Sequence, residues 1–264
     1  MISRKGSAVI LTNPALSEKA AVDEWFDPDY WSGRQQLAGS ATGRGAVVFF
    51  EHNNERWALR HYQRGGLVAR FSRDRYLFTG HRKVRAVREF ELLRKLVGIG
   101  LPTSAPLAAR YQRSGAWYRA ELITRFIPHR WTLAQYLIHT LSESDADAGE
   151  TLNSLGDTLT RVGAVVGRFQ AAGVLHADLN CHNVLLADSG VHIIDLDRGT
   201  LQSPGSWQQR TLDRLKRSAL KVSPERSHDR LLESWPALES AERASRRATP
   251  DAPAAVTARS APGR

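Results

Sequence analysis

Residues 175–199, LHADLNCHNVLLADSGVHIIDLDRG, constrain the fold of this chain more than any other stretch. Two short apolar runs, VLL and VHII, are each bordered by polar side chains, and their length and spacing predict the two strands of a hairpin. The polar residues form the pattern His-x-Asp-Leu-x-x-x-Asn from His176 to Asn183, and Asp195 follows Asp178 after a gap that spans the hairpin. These polar side chains are either ordinary turn residues or a site that holds a charged ligand.

The residue types in this pattern are those that phosphoryl transfer requires. Asp178 can hold an attacking hydroxyl and accept its proton, and His176 would brace the loop rather than react. Asn183 and Asp195 supply the amide and carboxylate oxygens that a hard cation such as Mg²⁺ prefers. The predicted hairpin would set these two ligands side by side, so the stretch predicts a metal-assisted phosphoryl-transfer site.

A zinc site is the alternative for the same residues. It would use His176, His182 and His192, whose spacing matches no common zinc motif. Cys181 is the single cysteine, so the chain has no internal disulfide, which suits a reducing compartment. We expect its thiol to be chemically inert.

Composition predicts a soluble globular protein. The 264 residues are 42% hydrophobic and 24% charged, enough for two lobes that share a cleft. No apolar run reaches the ~18 residues of a membrane span. The N-terminal residues lack the apolar core of a secretory signal, so we expect a cytoplasmic protein.

The charge balance predicts a polyanionic partner. Lys and Arg number 37 against 27 Asp and Glu, a net charge of +10. Nucleic acid, an anionic membrane surface or a phosphorylated substrate would each be attracted. Much of the excess lies between residues 60 and 88, although such a run is often only a solvated face: Arg60, Arg64, Arg70, Arg73, Arg75, Arg82, Lys83, Arg85 and Arg88.

Hydrophobic periodicity predicts an α+β chain in two halves. AVVFF, RWALRHY, PLAARYQ and WYRAELITRFI read as strands of a small antiparallel sheet, and residues 81–97 as one amphipathic helix. The second half is mainly helical. We therefore expect a loose arm at 1–20, one lobe at 21–127, a second at 128–236 and a disordered tail at 237–264.

The catalytic stretch resembles the catalytic loop and metal-binding segment of the protein-kinase-like fold, which is bilobal. That resemblance implies matching parts upstream. A glycine loop over the nucleotide would use Gly39, Gly43 and Gly45. Arg60 would grip the phosphates and pair with a helical glutamate, Glu89, with Glu91 as its neighbour. Backbone groups from Thr124 to Ile127, including Phe126, would meet the adenine.

Five segments together resemble the Kdo kinase family, over roughly residues 25–235: ALRHYQRGG, YLFTGHRKVRAVREFELL, GLPTSAPLAARY, HADLNCHN and IIDLDRG. The family implies phosphorylation by ATP and Mg²⁺ of the 4-hydroxyl of 3-deoxy-D-manno-octulosonic acid (Kdo). The implied acceptor is Kdo-lipid IVA, an anionic glycolipid, at the cytoplasmic face of the inner membrane of a Gram-negative bacterium. Peripheral attraction to that anionic membrane, without nucleic acid or an obligate protein partner, follows from the same resemblance.

The chain departs from the protein-kinase pattern at four points, and the last two favour a small-molecule or glycolipid acceptor over a protein. Arg60 replaces the usual lysine, the glycines do not form Gly-x-Gly-x-x-Gly, and Asp197 stands where glycine is usual. No Ala-Pro-Glu segment follows. The alternatives are a heptose, other sugar or antibiotic kinase, a catalytically inactive kinase fold and, from another class, a basic nucleic-acid-binding protein.

Overall fold

The computed structural model describes residues 1–16, 21–41, 47–63, 74–142 and 148–248. The chain forms two compact units. The first comprises Met1–Arg130 and Leu185–Gly199, and the second comprises Trp131–Val184 and the residues from Thr200 onward. The predicted division at residue 127 lies close to the end of the first segment, but residues 185–199, predicted in the second lobe, belong to the first unit. No described helix is long and apolar enough to cross a membrane.

Strands predominate in the first half of the chain and helices in the second, as expected of an α+β chain. The strands are β1 (Ile2–Lys5), β2 (Ala8–Thr12), β3 (Leu37–Ala41), β4 (Val47–His52), β5 (Glu55–His61), β6 (Tyr76–Leu77), β7 (Pro106–Ser114), β8 (Trp117–Arg125), β9 (Trp131–Thr132), β10 (Val174–Leu175), β11 (Val184–Ala187), β12 (Gly190–Ile193) and β13 (Thr200–Leu201). The helices are α1 (Pro28–Ser32), α2 (Arg85–Gly98), α3 (Leu133–Ser142), α4 (Ala148–Ala171), α5 (Trp207–Val222) and α6 (His228–Ala248).

An antiparallel sheet organises the first unit. Its strand order is β1-β2-β7-β8-β5-β4-β3, and β6 also pairs with β8. β4 and β5 are joined by Asn53 and Asn54, which both adopt positive φ, as a two-residue hairpin turn requires. The predicted hairpin of β11 and β12 is also present.

Aromatic side chains near the N-terminus cover one face of this sheet. Trp31 stacks on Phe50 of β4 with ring centroids 4.0 Å apart, and its indole N–H donates to the carbonyl of Trp25 at 2.8 Å. Both β4 and β5 alternate, so Phe50 and Trp57 are buried here while their neighbours point to the opposite face. The Asp27 side chain caps the start of α1 by accepting a hydrogen bond from the Asp29 N–H at 3.0 Å.

Helix α2 packs against β7 and β8. Its apolar stripe of Val87, Phe90, Leu93 and Leu96 is buried, which confirms an amphipathic helix here. The helix begins at Arg85 and not at residue 81 as predicted, because Val84 is extended. The helix ends through Gly100 at φ +74, where glycine avoids the strain of a side chain.

In the second unit, α4 packs closely on α6. A Cβ added to Gly163 would lie 2.1 Å from the carbonyl oxygen of Leu238, and one added to Gly167 would lie 2.4 Å from that of Glu242. The absence of side chains at these glycines therefore allows the two helix backbones to approach. β10 pairs with β13 in the same unit.

Two predicted irregular segments are ordered elements instead. Residues 1–16 are not a loose arm, because β1 and β2 pair with each other and β2 pairs with β7. The prediction of a disordered tail from residue 237 is wrong for residues 237–248. These residues continue α6, and the side chains of Leu238 and Glu242 are buried. Small and charged residues dominate this last stretch, so its composition hides the two positions that pack on α4.

Candidate active site

In the first unit, two carboxylates hold an arginine of the sheet. Arg60 lies on β5, and its guanidinium forms ion pairs with Glu89 of α2 and with Asp195. The Tyr62 hydroxyl donates to Glu89 at 2.6 Å and accepts from Arg60 at 3.2 Å. The predicted pairing between Arg60 and a helical glutamate is therefore present. Its partner is Glu89, which is buried, and not Glu91, which is 42% exposed.

Burial and charge act against each other in this cluster. Burial alone would lower the pKa of Arg60, but Glu89, Tyr62 and Asp195 raise it well above its ordinary value. Burial raises the pKa of Glu89, and the neighbouring Arg60 opposes that rise. Burial and the charge of Glu89 likewise raise the pKa of Tyr62 far above its usual range. The Arg60 guanidinium is therefore permanently charged, and its contacts with Glu89, Tyr62 and Asp195 fix its orientation.

Asp195 has an unusual backbone conformation. Its φ is +60, in the left-handed region that costs a residue with a side chain free energy and persists only where the surroundings enforce it. The next residue, Leu196, is fully buried and anchors the segment. A Cβ on Gly199 would lie 2.8 Å from the Leu196 carbonyl oxygen, so only glycine fits there. This part of the chain is closely constrained around a carboxylate whose side chain is 44% exposed.

A second arginine–aspartate pair holds the same segment. Arg85, at the start of α2, donates from Nε to Oδ1 of Asp197 at 2.9 Å, and its Nη2 contacts Oδ2, so the pair is bidentate. Arg85 also donates to the Tyr76 hydroxyl at 2.8 Å. Since Arg85 and Glu89 are one turn apart on α2, the helix holds Asp197 directly and Asp195 through Arg60.

A half-buried apolar strip lies on the Arg60 face of the sheet. Phe49, Ala58 and Thr124 are directly opposite one another on β4, β5 and β8, so their side chains share a face. Ala58 and Arg60 are two residues apart and therefore share it too. The Phe126 ring contacts Phe49 edge-on at 5.3 Å between centroids. The strip offers flat apolar surface beside a cation.

The backbone of the predicted adenine-binding segment is partly engaged. Thr124 is paired in the ladder with Ala58, and the N–H of Phe126 donates to the carbonyl of Arg56 at 2.9 Å. The N–H of Ile127 makes no hydrogen bond to another described residue. An adenine in this position would therefore find the Phe126 carbonyl and the Ile127 N–H, but not the Phe126 N–H.

The catalytic-loop pattern lies in the second unit. His176 is buried, and its Nδ1 accepts a hydrogen bond from the backbone N–H of Asp178 at 3.2 Å, which places it where it can brace the loop. The Asp178 carboxylate is 58% exposed and accepts from Arg214 of α5 at 3.2 Å. This aspartate is thus held by its backbone while its carboxylate is open to solvent.

The side-chain amide of Asn183 is oriented by the same loop. Its Nδ2 donates to the Asp178 carbonyl at 3.0 Å, and Nδ2 of Asn180 donates to the same oxygen at 3.0 Å. Because Nδ2 is engaged, Oδ1 of Asn183 is the atom left to act as a ligand. Within the described ranges, no three His, Cys, Asp or Glu side chains are grouped so as to hold a metal ion, and the zinc alternative gains no support.

The predicted glycine loop and basic run lie only partly within the described residues. Gly39 lies in β3, opposite Phe49, at a shift in the strand register. Gly43 and Gly45 lie outside the described residues, as do Arg64, Arg70 and Arg73 of the basic run.

Sequence reasoning missed the roles of four residues in the two candidate clusters. Tyr62 and Arg214 carry no local signal, because their partners are distant in sequence. Arg85 was visible only as part of a basic run. Asp197 was noted as a departure from glycine, and a charged residue at that place could have prompted a search for a cation on α2.

A family model described as "Lipopolysaccharide kinase (Kdo/WaaP) family" matches residues 28–235. Curated relatives named 3-deoxy-D-manno-octulosonic acid kinase are similar over most of their length. The protein of Vibrio parahaemolyticus is 38% identical over 74% of this chain and 78% of its own. That of Xylella fastidiosa is 39% identical over 77% of each chain, and that of Vibrio cholerae 38% identical over 81% of this chain and 86% of its own.

Among solved structures, one titled "WaaP in complex with acyl carrier protein" is similar with a TM-score of 0.50. It covers 84% of this chain and 96% of its own, at 17% sequence identity. A likeness at this identity concerns the fold, and it confirms the predicted protein-kinase-like α+β fold.

Proposed function

Because the chain belongs to the lipopolysaccharide kinase (Kdo/WaaP) family, we propose that it transfers the γ-phosphoryl group of ATP to the 4-hydroxyl of Kdo in Kdo-lipid IVA. The sugar acceptor in this proposal is taken from the relatives, which are named 3-deoxy-D-manno-octulosonic acid kinase. The observation that carries the reaction type is the cluster of Arg60, Glu89 and Asp195 in one unit.

The first unit has the groups to hold a nucleotide. The Arg60 guanidinium can bind phosphate oxygens, and Glu89 and Tyr62 fix its direction before substrate arrives. The flat strip at Phe49 and Ala58 suits a purine ring. No described residue hydrogen-bonds the second oxygen of Asp195, so this carboxylate fits a hard cation such as Mg²⁺.

The second unit has the groups that act on the acceptor. Asp178 accepts the proton of the sugar hydroxyl, and the hydrogen bond from its own N–H to His176 holds the loop in place. Asn183 would supply an amide oxygen to Mg²⁺, and the bound ion would neutralise charge on the phosphates. Arg214 lies beside the Asp178 carboxylate at 3.2 Å, and this pair is exposed to solvent.

The acceptor explains the net charge of +10. Kdo-lipid IVA carries carboxylate and phosphate groups on a lipid, and arginine forks bind such groups bidentately. We propose peripheral association with the cytoplasmic face of a bacterial inner membrane, because the acceptor is anchored there. An anionic surface attracts a basic protein without a spanning helix.

An acceptor assay tests this function. Purified protein is incubated with labelled ATP, Mg²⁺ and detergent-dispersed Kdo-lipid IVA, beside a heptose-containing core acceptor, an aminoglycoside and water. We expect label on Kdo-lipid IVA alone, with the phosphate at the 4-hydroxyl by nuclear magnetic resonance. Label on the heptose acceptor would overturn the sugar assignment in favour of another kinase of the same fold.

The same preparation separates a kinase from a nucleic-acid-binding protein. A kinase is stabilised against thermal unfolding by ATP with Mg²⁺, since a ligand that binds only the native state raises its stability. Retention of RNA at moderate salt, without any thermal shift from nucleotide, would favour the basic nucleic-acid-binding alternative.

A further inference from the structure

One end of the sheet in the first unit carries exposed apolar and basic side chains on a single face. Directly opposite residues share a face, and the strand register places Lys5, Gln112 and Arg119 in one row across β1, β2, β7 and β8. The next row towards the β7–β8 turn contains Trp117 and Leu77, and Arg75 precedes Leu77 by two residues. We name this surface the tip face: Lys5, Arg75, Leu77, Trp117 and Arg119.

The apolar pair of the tip face is unusually open. All seven tryptophans of the chain lie within the described residues, and Trp117, at 42%, is the only exposed one. Its cross-strand neighbour Leu77 is 55% exposed. Elsewhere in this unit the same face is covered, with Phe26 packing under Arg110. The cover ends before the tip, which leaves a tryptophan and a leucine side by side in water.

Basic groups surround this apolar pair. Arg75, Arg113 and Arg119 line a cavity of about 350 Å³ together with Trp117. Arg119 also pairs with Asp74 at 2.6 Å, and Arg113 lies over the Phe78 ring at 4.1 Å. With Lys5, the tip face and its rim carry four cations against the one acid of Asp74. The cavity therefore offers guanidinium donors to a phosphate group.

We infer that the tip face docks the protein on an anionic lipid bilayer. This inference rests on the proposed function only because the acceptor of that function is a membrane lipid. Tryptophan beside an aliphatic side chain suits the boundary between headgroups and acyl chains, where an indole buries its apolar body and keeps its N–H in water. The arginines bind headgroup phosphates, with Arg75 and Arg119 on the cavity wall.

Vesicle sedimentation of the full chain tests the surface. Large vesicles of phosphatidylcholine alone are compared with vesicles containing one quarter phosphatidylglycerol. We expect binding to the anionic vesicles only, weakened by salt. Arg75→Glu/Arg119→Glu changes the charge by four and should reduce partitioning by roughly 100-fold or more, at about fivefold per charge. Trp117→Ser should reduce it by roughly tenfold.

Matched variants elsewhere serve as controls. Lys95→Glu/Arg247→Glu makes the same change of charge at exposed positions, and Ile99→Ser removes a side chain that is 63% exposed. Both should sediment as the wild type does within about threefold, if location matters more than net charge. If the control double variant loses as much vesicle binding as the tip-face double variant does, the tip face is not the docking site.

The outcomes separate this inference from the proposed function. On detergent-dispersed acceptor the tip-face variants should be as active as wild type, and on acceptor embedded in vesicles they should lose activity with binding. Wild type that is active in detergent but does not sediment refutes docking and leaves the kinase intact. Wild type that sediments with the vesicles but is inactive on Kdo-lipid IVA refutes the proposed function and leaves the docking surface intact. Tip-face binding to an acidic carrier protein, without sedimentation on anionic vesicles, would also overturn the inference.

Discussion

The candidate cluster of the first unit and that of the second unit differ in how their charges are held. In the first unit Arg60 is paired with Glu89 and Asp195, and Glu89 is only 3% exposed. In the second unit Asp178 and Arg214 are 58% and 50% exposed. A buried pair fixes geometry, whereas an exposed pair contributes little to stability. Under the proposed function, the groups proposed to bind phosphate are therefore held in the core, while the proposed base is left open to solvent.

The largest expected effect is on turnover in the open cluster. Asp178→Asn removes the base but keeps the backbone N–H that binds His176, so turnover should fall by ~10²–10⁴-fold. Its stability should change little, because the carboxylate is exposed. Steady-state kinetics measures the turnover, and thermal unfolding measures the stability. Asp188→Asn, in the exposed turn between β11 and β12, is the matched control and should keep full activity.

Glu89→Gln should separate activity from stability in the buried cluster. The variant loses the charge that orients Arg60, so turnover should fall by roughly tenfold to 100-fold. Because burial raises the pKa of Glu89, its ionisation costs stability in the native state. The stabilising contribution of Glu89 is full below its unfolded pKa and is lost as pH rises through its folded pKa. Relative to wild type, the variant should therefore become more stable as pH rises towards neutral.

Chemical denaturation of both proteins at several pH values between 4 and 8 tests this sign. Glu91→Gln changes an exposed carboxylate two residues further along α2 and should follow wild type at every pH. A Glu89→Gln variant that loses stability relative to wild type on going to neutral pH would show that Glu89 is a stabilising ion-pair partner.

A smaller effect is expected at Asp197. Asp197→Asn breaks the bidentate contact with Arg85 and so loosens the segment that carries Asp195. We expect turnover to fall by roughly tenfold with a weaker apparent affinity for Mg²⁺, since misplacement of a ligand costs less than its removal. The Mg²⁺ dependence of the rate is the informative measurement, because a purely structural role would leave it unchanged.

The smallest effect is expected at Cys181. Burial raises the pKa of its thiol to about 12, and the side chain is fully buried. A thiol reagent at pH 8 should not react with the native protein, because the thiolate fraction is negligible. Rapid labelling in native buffer, measured by mass spectrometry, would mean that this part of the second unit opens easily.

Much of the site could be predicted from sequence because its residues lie on strongly patterned segments. The hairpin, the amphipathic α2 and the β5 strand each follow a clear period, and these place Arg60 and Glu89 on named elements. The choice of Glu89 over Glu91 was harder to make. Both are on α2, and only the packing of the helix decides which of them is buried.

What could not be predicted depends on contacts between distant residues. Tyr62 joins Glu89, and Arg85 joins Asp197 across 112 residues, without any local pattern. The β1–β2 hairpin escaped prediction because β1 is short and mostly exposed. The end of α6 escaped because only Leu238 and Glu242 show its buried side.

Binding of Mg²⁺ and ATP to two variants tests the central claim, that one cluster holds the nucleotide and the other acts on the acceptor. Isothermal titration calorimetry is performed with Asp195→Asn and Asp178→Asn in parallel. We predict that Asp195→Asn loses at least tenfold in affinity for ATP with Mg²⁺, whereas Asp178→Asn binds as wild type does although it transfers no phosphate. Equal losses of affinity in both variants, or wild-type affinity in Asp195→Asn, would contradict the account.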